Sequence, residues 1–233
     1  MNVISIVIQL FVLLFAITVH EASHGWAANK FGDPTAYNLG RVTLNPLAHI
    51  DPFGTVLLPI LLSLARMPAF GWAKPVPVNP YNLRHPRRDN LWISFAGPAA
   101  NLTVAAAAWA VLMVLKASNA RVGLFIKVII NGFFRQMGFS LPVLQPGFYP
   151  LEGLALILLM MILLNAYLAM FNLIPVPPLD GSGILMGLLP DGAASRYDRL
   201  RPFGFIIVLM LIYMGLLEVI MWPVKLFIVL TLG

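Results

Sequence analysis

Residues 3–28, VISIVIQLFVLLFAITVHEASHGWAA, decide the fold. Glu21 is the only charge in this apolar run, which is long enough to cross a bilayer as a helix of roughly 20 residues or more. Near its end stand His20, Glu21 and His24. Helical positions four apart lie one turn from each other on one face, so both imidazoles can grip one metal ion. The glutamate between them can then reach a water held by that ion. A lone histidine on an apolar face is ordinarily a satisfied core residue. A charged, metal-gripping turn at membrane depth is costly and marks a functional site.

The whole composition follows suit. Of 233 residues, 60% are hydrophobic and 10% charged, against about 25% charged in a soluble domain; the mean hydropathy is +0.87. An all-α integral membrane protein is expected, a polytopic helical bundle forming a single domain over 1–233, with no room for a sizeable soluble domain at either end. The first segment lacks a basic leader and is too long and too polar near its end to read as a cleaved signal peptide. The net charge of +6 is assigned to basic loops beside anionic lipid headgroups. No basic run is interleaved with aromatics outside the apolar segments, so nucleic acid is not an expected partner. With no cysteine, any metal must be held by His, Asp, Glu or Asn.

Full spans are expected at about 3–28, 91–115, 152–174 and 203–231, with a shorter apolar run at 53–65 that holds Pro59. The last stretch holds Pro223 and reads as one kinked span or a tight pair. Residues 39–50 read as extended. Pro75, Pro77 and Pro80 forbid a helix and favour an extended strand. Arg84, His85, Arg87 and Arg88 form a basic cluster just before Leu91. Gly97-Pro98 reads as a helix start that permits close packing. Residues 121–139 read as an amphipathic surface helix or an ordinary connecting loop.

The fourth span ends Asn172-Leu-Ile-Pro175-Val-Pro177-Pro178-Leu179-Asp180-Gly181-Ser182-Gly183. The prolines break the helix, and carbonyls freed at this depth must be satisfied by protein or a wet cavity. Asp180 there suits a third ligand, and two histidines, a carboxylate and a water complete a tetrahedral zinc site. If every apolar run crossed once, Asp180 would lie across the bilayer from His24. If 53–80 enters and returns on one side, a re-entrant, extended hairpin between the first and second full spans, the two meet at one depth. The side carrying them would hold Lys30, Arg41, Lys74, Arg84, Arg87, Arg88, Arg196, Arg199 and Arg201, which makes it cytoplasmic and places the N-terminus outside. Arg66 then falls near the turn and must snorkel or face a cavity.

Plainer readings exist for each residue. Leu-Asp-Gly at 179–181 is also ordinary turn chemistry. Glu218, taken as buried in the last stretch, is a rival third ligand. His49 and His85 read as interfacial residues. A di-iron membrane oxygenase would need more than the four histidines present. A zinc transporter or a non-catalytic metal-binding membrane protein remains as an alternative, but such a protein has no need of Glu21 beside its ligands.

His20-Glu21-x-x-His24 in a span, Ala96-Gly97-Pro98, and Asn172-x-x-Pro175-x-Pro177-Pro178-Leu179-Asp180-Gly181, in that order, resemble the site-2 protease family of intramembrane zinc metalloproteases over about residues 15–190. The chain looks like its compact bacterial or archaeal group, which lacks PDZ and CBS domains. Ser182 stands where the family has a second glycine. The resemblance implies one zinc ion per chain held by His20, His24 and Asp180, with Glu21 as the catalytic base. It further implies that Asn172 hydrogen-bonds the substrate backbone or the developing oxyanion. The substrate would be a membrane-protein helix that unwinds before cleavage, and residues 72–79 offer it a strand to pair with. The expected location is a multi-pass position in a bacterial or archaeal cytoplasmic membrane; substrate identity and oligomeric state stay open.

Overall fold

The computed structural model describes residues 3–58, 61, 64, 72–135 and 149–233. These residues are all-helical apart from turns and extended connections, with no strand among them. In chain order the helices are α1 (Val3–Lys30), α2 (Thr35–Asn38), α3 (Pro86–Ser118), α4 (Ala120–Arg135), α5 (Pro150–Asn172), α6 (Asp180–Leu188), α7 (Asp191–Asp198), α8 (Gly204–Tyr213) and α9 (Leu216–Leu232). Helices α1, α3 and α5 are each long and apolar enough to cross a membrane, and the bent pair at the C-terminal end allows a fourth span. The protein is a polytopic helical membrane protein.

The helices form two compact units. The first comprises Met1–Ala16, Asn101–Phe171 and Leu209–Gly233. Its core joins Val12, Leu112, Leu156, Leu163, Ile228 and Leu232 from four helices. Helix α4 contributes Val122, Ile126, Ile129 and Ile130, one buried stripe at helical spacing, while Leu124 and Val128 on its other side are exposed. The amphipathic helix expected over 121–139 is therefore present to Arg135; residues 136–139 lie outside the described residues. Polar ties in an apolar interior must be satisfied internally. Asn101, fully buried, donates to the Ala16 carbonyl (3.0 Å) and to Asn165 (2.8 Å), and Asn165 donates to the Met161 carbonyl (2.9 Å).

The second unit comprises Ile17–Ala100 and Asn172–Val208. Its loops are fastened by side chains reaching backbone groups. Asp33 is fully buried and accepts four hydrogen bonds: from the Thr35 hydroxyl (2.5 Å) and N–H (3.1 Å), the Asn82 amide (2.8 Å) and the Asn79 N–H (2.7 Å). Burial alone would raise its pKa. The donors outweigh burial and hold the carboxyl below its usual range, so it stays ionised and pins the far end of the 72–79 segment.

That segment is extended, as the alternating prolines require, and outside any ladder. Within the run expected to re-enter, Pro52–Leu57 forms one short π-helical turn opened by the Asp51 side chain; residues 59–60, 62–63 and 65–71, Arg66 among them, lie outside the described residues.

Two local expectations need correction. Residues 39–50 are not extended: they turn, and Asn45 caps a single 3-10 turn at Pro46–Ala48 by accepting the Leu47 N–H. Gly97-Pro98 does not start a helix. Helix α3 begins at Pro86, where proline costs no hydrogen bond, and Asp89 accepts the His85 N–H (2.7 Å) across the first turn. The last apolar stretch, expected as one kinked span or a tight pair, divides into two helices bent by 62° at Gly215, whose φ of +82° favours glycine, and Pro223 lies inside α9.

Candidate metal centre

Helix α1 delivers His20 and His24 to the interior of the second unit, at 5% and 9% exposure. Their rings meet edge to face, with centroids 4.6 Å apart. The third group arrives on α6. After α5 ends at Asn172, Pro175, Pro177 and Pro178 prevent the helix from continuing, and Asp180 is the first residue of the next one. Tyr197 on α7 donates its hydroxyl to the Pro175 carbonyl (2.9 Å) and ties down this connection.

Two glycines let α6 approach α3. A Cβ on Gly187 would lie 2.5 Å from the Leu91 Cβ, and one on Gly183 would overlap the Ser94 hydroxyl. These small residues at i and i+4 bring the helices together as small-residue pairs do in membrane bundles.

Asp180 Oδ2 consequently stands 2.9 Å from His20 Nε2 and 3.3 Å from His24 Nε2. The three candidate ligand atoms all lie within 4.8 Å of one another. Two ligands bound to zinc at about 2.05 Å with a tetrahedral angle would be about 3.3 Å apart, so the spacing suits that ion. The chemistry of the atoms agrees. His24 Nδ1 lies 2.7 Å from the Ile93 carbonyl, a contact that requires Nδ1 to carry the proton and leaves the Nε2 lone pair facing Asp180. Asp180 Oδ2 is buried and accepts no hydrogen bond of proper geometry, despite its closeness to both rings. Two imidazole nitrogens and a carboxylate oxygen that face one another at this distance suit a shared cation. Among the described residues no other group of three metal-binding side chains converges.

Glu21 is half-buried, and its Oε2 accepts the Val76 N–H at 2.9 Å. The extended segment reaches α1 where Gly25 leaves space: a Cβ there would lie 3.3 Å from Val76 Cγ1. Asn172 is half-buried in the same unit as the last residue of α5. The other weighed residues have other places. His49 is buried within the loops, its Nε2 3.0 Å from the Thr43 carbonyl, and His85 is exposed beside the start of α3. Glu218, expected to be buried, is exposed in the first turn of α9, which starts directly after Gly215.

Sequence reasoning missed how Gly97 serves the site. A Cβ at Gly97 would lie 2.5 Å from His24 Nε2 and 2.7 Å from His20 Cε1. Only a bare backbone fits beside the imidazoles. Gly97→Ala should displace both rings and lower zinc affinity by at least about ten-fold, since ligand orientation is set by such supporting contacts. Metal titration of the purified protein reads this; wild-type affinity in the variant would show that the rings tolerate the methyl group.

Comparison with known proteins follows the same lines. The family model described as peptidase family M50 matches residues 8–214. The chain is 35% identical over 213 residues to the Bacillus subtilis (strain 168) protein "Putative zinc metalloprotease YwhC", covering 91% of this chain and 82% of that one. It is 27% identical over 199 residues to "Putative zinc metalloprotease Rip2" of Mycolicibacterium smegmatis (strain ATCC 700084 / mc(2)155), covering 85% of this chain and 64% of that one. No solved structure gives a significant match.

Proposed function

This chain belongs to peptidase family M50, the site-2 protease family, and is an intramembrane zinc metalloprotease; we propose that His20, His24 and Asp180 hold a single zinc ion in it and that Glu21 and Asn172 act on the substrate. The observation that carries this assignment is the convergence of two imidazole nitrogens on a buried carboxylate oxygen that no hydrogen bond satisfies. Bound there, zinc supplies Lewis-acid polarisation of the scissile carbonyl and lowers the pKa of the attacking water toward about 7.

The remaining work falls to the chain's own groups. Glu21 takes the proton of the attacking water and delivers it to the leaving amine. The Asn172 amide donates to the substrate backbone or to the oxygen on which negative charge develops. Ile93 orients His24 through its carbonyl, and the N–H of Val76 orients Glu21.

The substrate is a transmembrane helix of another membrane protein, unwound near the site and paired as an added strand with residues 72–79. The whole chain, 1–233, acts as one metalloprotease domain in a bacterial or archaeal cytoplasmic membrane. The excess of basic residues on the side carrying the site makes that side cytoplasmic.

Liposomes holding the purified chain and a labelled transmembrane peptide test this reading. We expect one zinc per chain, cleavage lost on chelation and cleavage restored by added zinc. A chelated, metal-free protein that still cuts, or zinc crossing the liposome wall without cleavage, would reject it.

A further inference from the structure

Arg41 lies in the loop after α2, brought there by a left-handed Gly40 (φ +66°), and its own N–H donates to the Ala36 carbonyl at 2.9 Å. The residue is buried, at 8% exposure. Among the described residues no carboxylate lies within ion-pairing distance of it, and its Nε has no acceptor. A guanidinium buried without a counter-ion costs stability, so fold maintenance alone does not explain it. Its hydrogen bonds run from Nη2 to the carbonyls of Lys74 (2.6 Å) and Pro75 (3.4 Å).

The Pro75 carbonyl and the Val76 N–H belong to one planar peptide group. Arg41, held close by the Lys74 carbonyl at 2.6 Å, also donates a longer hydrogen bond of 3.4 Å to the oxygen end of that group. Glu21 Oε2 accepts from its hydrogen end at 2.9 Å. Pro75 and Pro77 remove the neighbouring donors on either side, so within residues 75–77 this N–H is the one donor the backbone offers. A donor placed on a peptide oxygen polarises the amide and strengthens its N–H as a donor, and it fixes the plane in which that N–H points.

We propose that Arg41 is a positioning residue for peptide hydrolysis, holding the Glu21 carboxylate in place through the Pro75–Val76 peptide group. This rests on the reading of Glu21 as the base. The guanidinium does not touch substrate. It sets the plane of one peptide, and that peptide sets the direction of the carboxylate beside the His20–His24–Asp180 cluster.

A double-mutant cycle in the full-length protein tests it, read as kcat on the liposome peptide together with zinc content. Val76→Pro removes the single N–H in a stretch already held extended. Arg41→Met removes the donors while keeping the stem. Each should lower kcat about ten-fold, the scale of one hydrogen bond to a charged group, with one zinc per chain retained. The double variant should be no slower than Val76→Pro alone, because both changes cut the same connection. Arg41→Lys should recover part of the loss. Multiplying effects in the double variant would overturn the proposal, as would full activity in Val76→Pro; the latter decides even if Arg41→Met does not fold. A fully active Glu21→Gln protein would instead remove the reading on which the inference stands.

Discussion

Glu21→Gln should lower kcat by roughly 10²- to 10⁴-fold while the protein binds zinc as the wild type does. The substitution conserves shape, and the glutamine carbonyl oxygen can still accept the Val76 N–H that now bonds Glu21 Oε2 at 2.9 Å. It loses the ability to take a proton near neutral pH. Helix α1 and both imidazoles stay where they are, since Glu21 is not among the three converging ligand atoms. Cleavage of a labelled transmembrane peptide, measured beside zinc content on one preparation, separates catalysis from metal binding. Cleavage near the wild-type rate would show that another group moves the proton. Loss of zinc together with activity would show Glu21 to be a ligand or a structural tie.

Asp180→Asn should have the opposite signature, with metal lost first and activity as a consequence. Two imidazoles alone leave zinc short of protein ligands, and a neutral amide removes the negative charge that favours a cation between them. We expect zinc affinity to fall by more than about a hundred-fold, beyond the 10- to 100-fold typical of supporting residues. The fold should survive, because the carboxylate oxygen facing the histidines is buried without a hydrogen-bond donor, and the amide carries less charge to desolvate. Added zinc should therefore raise the thermal midpoint of the wild type and leave that of Asp180→Asn unmoved, since only a ligand that binds the folded state stabilises it. An equal rise in both proteins would place the ion elsewhere.

These two substitutions also mark how differently the site could be read beforehand. His20, Glu21 and His24 are local: their spacing on one helix follows from 3.6 residues per turn, and α1 carries them as expected. Asp180 lies far along the chain. Its claim rested on a topology argument and a resemblance, with Glu218 as a rival and an ordinary turn as the plain reading. The distances of 2.9 and 3.3 Å to the two imidazoles are what bring it into the cluster.

Most elements whose cause is short-ranged were legible, residues 39–50 excepted. The apolar runs at about 3–28, 91–115, 152–174 and 203–231 lie in helices, the alternating prolines at 75 and 77 kept their segment extended, and the buried stripe of α4 follows its helical spacing. Boundaries were less so. The Gly97-Pro98 pair looked like a helix start because proline is favoured there, but Pro86 and Asp89 had already begun the helix. The last span breaks at Gly215 and not at Pro223, because a left-handed φ forces a break.

By itself, then, the amino-acid order determined a membrane-embedded helical chain bearing a histidine pair with a glutamate between, since apolar length and helical period depend only on neighbours. Tertiary structure alone decided that Gly97 must lack a side chain beneath the imidazoles, that Ile93 orients His24, and that Arg41 and Glu21 share one peptide group. Those are meetings between distant residues, settled by how closely helices and loops can pack, and no local pattern encodes them.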